Sequence, residues 1–278
     1  MKFKNDILLG IGLIVLSFIL PLFSVGSDLG SFVTSTSTVF AVVAGFFIAD
    51  AMSNYLRLQT LIAQEDGALT AIANDTEMIS GNQTADVYKA IDEYMIAQLN
   101  SRTLNHIYLT DKEVERIEIA IDNLKIKPED SVIFDHILTA RELITTCRQE
   151  IALAAKKSLT PGHWAILTML ALVVTITVLA MRDGSFLMGL VSALMIVGTQ
   201  AVLVLLREVD NNYFLEMKLT YESPREVFHS VKQHPFYPYF PEPGYQKPDA
   251  SGFYRLGKKE GGYELIDVSK IKSIYLNK

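Results

Sequence analysis

Four uninterrupted apolar runs constrain the fold of this chain more than any other feature. They lie at residues 7–25, 32–52, 163–181 and 184–206. Each run is roughly 19–23 residues long, and a helix of about 20 residues crosses a hydrocarbon core of about 30 Å while satisfying its own backbone hydrogen bonds. Half of the residues are hydrophobic, and the mean hydropathy is +0.25. The sequence therefore predicts an all-α membrane protein with four transmembrane helices in a lipid bilayer.

The connections within each pair of runs are very short, so each pair is expected to form a tight antiparallel hairpin. The soluble stretches between and after the hairpins are expected to be a cytoplasmic helical insert and a C-terminal region with a small β-hairpin tail. The predicted domains are a first hairpin at 1–52, a helical domain at 53–160, a second hairpin at 161–210 and a C-terminal region at 211–278.

The first run has an alternative interpretation as a cleaved signal peptide, because it follows Lys2 and Lys4. We favour a transmembrane helix, since the run is long for a signal peptide and its removal would leave an odd number of spans. The distribution of Lys and Arg near the span ends then predicts the orientation. Only Arg182 flanks the outer side, so both termini are expected in the cytoplasm of a multi-pass inner-membrane protein. The basic residues of the other side are Lys2, Lys4, Arg57, Lys156, Lys157, Arg207 and Lys218.

The central segment is predicted to be helical throughout. The second span continues without a helix breaker to about Ile79, and a second helix is expected at 85–104. Thr110 with Glu113 predicts a capping box that starts a third helix. Asp130 or Ser131 is expected to start a fourth helix that ends near Ser158.

The C-terminal region contains a predicted helix start, a linker and two strands. Ser223 is expected as N-cap, with Pro224 at the first helical position. Residues 234–248 are rich in Pro and Tyr and predict an extended linker. Short β-like runs at 253–256 and 263–268 flank a glycine-containing turn and predict a hairpin.

Composition and residue spacing argue against several functional classes. The net charge of −6 disfavours nucleic acid as a partner. The five histidines lack metal-ligand spacing, and the single cysteine, Cys147, cannot form a metal cage or an internal disulfide. No catalytic motif is recognisable, so an enzyme is the least favoured class and no cofactor or metal is expected.

The second span carries the strongest functional signal among the membrane segments. It opens with five consecutive hydroxyl residues, including Thr34 and Thr38, whose side chains can bond the carbonyl one turn back. Phe40, Val43 and Phe47 could form an apolar constriction that gates by dewetting. The predicted pore-lining residues are Thr34, Thr38, Phe40, Val43 and Phe47. Ordinary contact with lipid or with another helix remains an equally good explanation.

Two further polar residues are candidates for functional positions in the membrane. Asp50 lies near the cytoplasmic end of the second span, where it could equally mark the interface. Gln200 lies deeper in the fourth span and is expected to face another helix or water, because an unpaired amide is costly in lipid.

The order of these features resembles the bestrophin-like membrane proteins of bacteria over about residues 5–230. The resemblance rests on five segments. They are Phe46-Phe47-Ile48-Ala49-Asp50 with Tyr55-Leu56-Arg57, Glu65-Asp66-Gly67-Ala68-Leu69, Arg141-Glu142-Leu143, Pro161-Gly162-His163-Trp164 and Leu206-Arg207-Glu208-Val209-Asp210.

Bestrophins are anion-conducting pentamers whose pore is lined by the second helix of each subunit. The resemblance therefore implies a homo-oligomeric channel for small inorganic ions, with anions as the expected class and a pentamer as the expected assembly. The alternative is a non-conducting scaffold or sensor that binds a partner through its cytoplasmic helices and tail.

Overall fold

The computed structural model describes eight stretches of the chain and divides it into two compact units. The apolar unit comprises Met1–Tyr55 and Lys157–Tyr213, and the polar unit comprises Leu56–Lys156 and Phe214–Lys278. The described residues are 29–79, 84–101, 106–155, 159–181, 185–210, 222–239, 252–258 and 261–267. The first predicted span, at 7–25, lies outside them.

The apolar unit contains the first part of α1 (Leu29–Ile79), together with α6 (Pro161–Ala180) and α7 (Phe186–Asp210). These three described helices are long and apolar enough to cross a membrane. α6 and α7 pack against each other. The buried face of α7 includes Gly189, Ser192 and Ala193, and small residues of this kind allow helix backbones to approach closely.

Helix α1 has 51 residues and no break, as the sequence predicted. At a rise of about 1.5 Å per residue, a helix of this length exceeds the roughly 30 Å hydrocarbon core by a wide margin. Its first part belongs to the apolar unit, and its last part, from Leu56 onward, belongs to the polar unit.

The polar unit is a helical cluster around the C-terminal part of α1. Its core includes Leu69 and Ile72 of α1 and Ile91 and Tyr94 of the next helix, all fully buried. Its further helices are α2 (Thr84–Asn100), the single-turn α3 (His106–Leu109), α4 (Asp111–Asp122), α5 (Ser131–Ala154) and α8 (Glu222–Ser230), with a 3₁₀ turn at Pro128–Asp130 before α5.

Both predicted helix starts lie within one residue of the observed ones, but neither hydroxyl caps its helix, because each bonds a side chain of another helix instead. Thr110 precedes α4, but its side chain makes no capping hydrogen bond. Its hydroxyl accepts from Nη1 of Arg148 at 2.9 Å. Ser223 lies inside α8, one residue after its start, and its hydroxyl donates to Oδ2 of Asp66 at 2.5 Å. Both contacts join segments far apart in the sequence, so local spacing could not reveal them.

The C-terminal residues form a three-stranded sheet in the order β1-β2-β3. β2 (Phe253–Gly257) and β3 (Tyr263–Asp267) are antiparallel, which confirms the predicted hairpin. β1 (Phe236–Tyr237) pairs in parallel with β2, although this segment was predicted to be extended linker. Gly257 approaches it closely, since an added Cβ would lie 3.1 Å from the Phe236 ring.

Candidate functional site on helix α1

The hydroxyl residues at the start of α1 behave as their spacing predicted. Thr34 and Thr38 are exposed. The Thr34 hydroxyl donates to the carbonyl of Gly30 at 2.9 Å, and the Thr38 hydroxyl donates to the carbonyl of Thr34 at 2.7 Å. Each hydroxyl therefore satisfies its donor within the helix while its oxygen faces outward.

The three bulky residues of the predicted constriction lie toward the inside of the apolar unit. Phe40 is 6% exposed, and Val43 and Phe47 are half-buried. The Phe47 ring lies 4.9 Å from the His163 ring on α6. The buried side of α1 follows Val33, Phe40, Ala44 and Ala51.

The opposite side of α1 carries a continuous exposed stripe. Val42 is 66% exposed and Phe46 is 71% exposed. The members recur at spacings of three and four residues, which places them on one helix face. We call Ser35, Val39, Val42, Phe46 and Ala49 the exposed stripe. The exposed stripe is not apparent from the sequence, although the seven-residue spacing of Val33 and Phe40 marks the opposite, packed side.

The two polar candidates occupy different environments. Asp50 is exposed near the end of the apolar part of α1. Gln200 is half-buried on α7.

Asp210, at the end of α7, is a buried residue whose carboxylate accepts hydrogen bonds from the start of α6 and from the segment just before it. Its Oδ1 accepts from the backbone N–H of Leu159 at 3.0 Å, and its Oδ2 accepts from Nε1 of Trp164 at 3.3 Å. Thr160 and His163 close a reciprocal capping box at the same helix start. The predicted helix break at Thr160-Pro161 is thus a fully capped N-terminus.

Replacing Asp210 by Ala is expected to shift the fluorescence emission of Trp164 to longer wavelength. The change removes the acceptor for two donors and costs about 1–3 kcal/mol, because a buried donor is left without a partner. Trp164 is the only tryptophan, so emission reports this contact directly. Glu208→Gln, which removes a charge from the same turn of α7, is the control, and an equal shift in both variants would contradict the assignment.

The polar part of α1 carries two consecutive buried carboxyl groups. Glu65 is 0% exposed and Asp66 is 1% exposed. Tyr94 of α2 donates its hydroxyl hydrogen to Oε1 of Glu65, and Ser223 of α8 donates to Asp66. Burial is the largest cause that raises the pKa of both groups to about 7, and for Asp66 the neighbouring charge of Glu65 adds to this. Both lie beyond the apolar unit, in the polar part of α1.

Arg148 of α5 is the cation nearest to this pair in the hydrogen-bond network, and its bonds extend away from Glu65. Nη1 donates to the Tyr94 hydroxyl at 3.0 Å and to Thr110. Nη2 donates to the carbonyl of Ile107 at 2.6 Å and to Oδ1 of Asp111 at 2.8 Å. The charge of Arg148 still lowers the pKa of Glu65 from a distance, but burial outweighs it.

In the sequence, Glu65 and Asp66 stand out only as part of the family resemblance and not as a site. A signal was present, because Leu58, Leu61, Glu65 and Ile72 recur at helical spacing and are all buried. A carboxyl group on that apolar stripe is forced into the core. In the part of the chain that the structure describes, no group of three or more His, Cys, Asp or Glu is placed to hold a metal ion.

Comparison with known proteins agrees with this architecture. The Bestrophin-like domain matches residues 28–213, which is more than half of the chain. A crystal structure of a bacterial bestrophin homolog from Klebsiella pneumoniae, carrying one substitution, is similar with a TM-score of 0.63 and 11% identity. The similarity covers 84% of this chain and 100% of that one.

A second crystal structure, of a single-substitution variant described as a membrane protein, has a TM-score of 0.60 and 12% identity over 84% of this chain and 99% of that chain. Among curated proteins no match was found. At these identities the two structures establish the shared fold alone, while the domain match establishes the family. The chain belongs to the Bestrophin-like family, a family of membrane channels rather than of enzymes.

Proposed function

We propose that this protein is a homo-oligomeric ion channel whose pore is lined by α1 of each subunit. The observation that carries the proposal is the exposed stripe, an apolar and hydroxyl face of α1 that the rest of the described chain leaves open. A membrane face that is 66–71% exposed at Val42 and Phe46 meets lipid, another helix or a pore, and the exposed hydroxyl residues before it on the same helix favour the pore.

The order of side chains along α1 supports a pore with two sections. Thr34 and Thr38 supply hydroxyl oxygens near the outer end, where ions need partial substitutes for water. Bulky apolar residues follow, and a ring of such residues can close a pore by dewetting. Phe40, Val43 and Phe47 remain assigned to the pore helix, but exposure favours Val42 and Phe46 as the narrowest part.

The proposed permeant ion, assembly and location rest on the family. Anions are the proposed permeant class, a pentamer is the proposed assembly, and the inner membrane is the proposed location, with both termini in the cytoplasm. Asp50 and Gln200 are proposed as polar groups at the inner mouth and between helices, respectively.

Purified protein in planar bilayers is expected to pass current, and Phe46→Ala is expected to increase it severalfold by removing a bulky ring from the constriction. Phe40→Ala is the matched control, because it removes the same ring from the packed side of α1. That variant is expected to cost about 3–5 kcal/mol of stability and to leave single-channel conductance unchanged. If Phe40→Ala or Phe47→Ala altered conductance while Phe46→Ala did not, the constriction would face the other side of α1.

Particle size in mild detergent tests the assembly independently. A ring of five supports the channel, whereas a monomer or dimer would exclude a pore around an axis of α1 helices. Bilayers that stay silent under varied voltage and pH, with the ring intact, would favour a non-conducting scaffold.

A further inference from the structure

The Glu65–Asp66 pair accepts no hydrogen bond from a cation in the part of the chain that the structure describes. Oε2 of Glu65 and Oδ1 of Asp66 are buried, and neither has a hydrogen-bond partner among the described residues. The bonded oxygens, Oε1 and Oδ2, accept from hydroxyl groups rather than from cations. Placing two ionised carboxylates side by side in such a site is costly, because burial removes hydration without supplying a counter-ion.

Each element packed against the pair contributes few charged groups. α2 presents Tyr94, and α5 presents Arg148 and Cys147, whose thiol pKa is raised by burial and then by the charges of Glu65 and Glu150. α8 presents Ser223, while Arg225 and Glu226 beside it are exposed. Arg148 is therefore the one nearby cation in this set, and it is shared with the carboxylate of Asp111.

A hydrogen-bonded chain joins Glu65 to the surface. Tyr94 donates to Glu65 and accepts from Arg148, which donates in turn to the largely exposed carboxylate of Asp111. Arg148 and Asp111 both line an open groove of about 600 Å³ between α3, α4 and α5. Water in that groove can therefore reach Asp111, at the outer end of this hydrogen-bonded chain.

We propose that Glu65 and Asp66 form a proton-binding site that regulates the channel. This inference rests on the proposed function for its regulatory part and on the polar unit alone for its proton-binding part. With protons bound, the pair is neutral and α1 packs closely against α2, α5 and α8. When the protons leave, two adjacent buried charges repel each other and draw in water, which loosens α1.

The physical chemistry places the transition near neutral pH and fixes its direction. Burial raises the pKa of each carboxyl group to about 7, from ordinary values of 4.5 and 3.8. The neutral, tightly packed form is therefore populated below pH 7 and the charged form above it. In this proposal α1 opens more readily when loosened, so the open-to-closed ratio rises with pH by up to about tenfold per pH unit for each linked proton.

A proton fits this pair better than a shared metal ion does. Consecutive residues on a helix point about 100° apart. Glu65 bonds to α2 and Asp66 bonds to α8. A single cation could take both carboxylates only if those hydrogen bonds were broken.

Infrared difference spectra of the full chain in detergent test proton binding without reference to current. The protonated-carboxyl band is expected to titrate near pH 7 and to lose intensity in Glu65→Gln and in Asp66→Asn. Glu77→Gln is the matched control on the same helix, because Lys232 and Tyr88 lower the pKa of the exposed Glu77 and keep it ionised in this range. No band near pH 7, or a titration displaced by millimolar Ca²⁺, would overturn the proton site.

Bilayer recordings from pH 6 to pH 8 test the regulation. Current is expected to rise with pH in the unaltered protein and in Glu77→Gln. It is expected to rise by a smaller factor in Glu65→Gln and Asp66→Asn, because each variant leaves one carboxyl group to ionise and removes the repulsion between two charges. The same pH profile in all four proteins would overturn the inference but leave the channel intact. If the protonated-carboxyl band titrates near pH 7 but the bilayers pass no current, both the regulation and the proposed function would be overturned.

Discussion

Replacing Arg148 by Met is expected to lower the free energy of unfolding of the polar unit by about 3–5 kcal/mol, the usual cost of removing one partner from a buried charged network. The Arg148 side chain is 7% exposed and makes four hydrogen bonds to partners on α2, α3 and α4. Met fills similar volume but donates nothing. The Ile107 carbonyl and the Tyr94 and Thr110 hydroxyls each lose a donor.

Arg141→Met is the matched control, because it changes the same residue type on the same helix. Arg141 pairs with the exposed Asp122, so its loss is expected to cost less than about 1 kcal/mol. Thermal unfolding of detergent-solubilised protein, followed by circular dichroism, gives the comparison. Equal shifts of the melting temperature in the two variants would contradict the central role of Arg148.

The cost of Arg148→Met is also expected to depend on pH, because Arg148 lowers the pKa of Glu65. The raised pKa of Glu65 makes its contribution to stability fully present below pH 4.5, and that contribution is lost as pH rises to about 7. At acid pH Glu65 is neutral, so removing Arg148 leaves no buried anion. The variant should therefore lose less stability at pH 5 than at pH 8, and an equal loss at both would contradict this.

Replacing Arg255 by Lys is expected to release the C-terminal sheet from the polar unit, at a cost of about 2–5 kcal/mol. Nη1 and Nη2 of Arg255 donate to the two carboxylate oxygens of Asp92 at 2.8 and 2.6 Å, and Nε donates to the carbonyl of His234. The guanidinium also stacks 4.9 Å from the Phe228 ring centre. Lys supplies one charge but cannot form this bidentate pair of hydrogen bonds with Asp92.

Hydrogen exchange of residues 252–267 measures the release, and protection there is expected to fall sharply in Arg255→Lys and in Asp92→Asn. The double variant should lose little more protection from exchange than either single variant, since each single change removes the same contact. Lys258→Met is the control, because Lys258 and Glu264 form an exposed pair on the same hairpin worth less than about 1 kcal/mol. Unchanged protection in Arg255→Lys would show that apolar contacts alone hold the sheet.

Hydropathy and periodicity predicted the helices well because these signals are local. The α1 helix runs to Ile79 as predicted, and the hairpin at 253–267 pairs as its alternating residues and glycine turn suggested. The predicted capping roles of Thr110 and Ser223 failed, although the helices begin there to within one residue, because a hydroxyl that can cap a helix can equally bond a distant side chain. Strand β1 was missed because two residues carry too little pattern, and its pairing with β2 spans a long connection.

The candidate pore face on α1 also depends on contacts that local sequence signals do not reveal. Amphipathic periodicity is weak in a membrane helix, because both the packed side and the lipid or pore side are apolar. Phe40 and Phe46 therefore look equivalent in the sequence, but one is 6% exposed and the other 71%. Only the tertiary packing distinguishes them.

The sequence by itself determined that this protein is built from long apolar helices with a helical insert and a β-hairpin near its C-terminus, because length, hydropathy and turn residues act over short distances. The tertiary structure alone decided which side of α1 stays open. It also decided that Asp66 is buried beside Glu65 and that Arg148 and Arg255 join distant segments. Burial and ion pairing depend on residues far apart along the chain, and no local pattern encodes which of them meet.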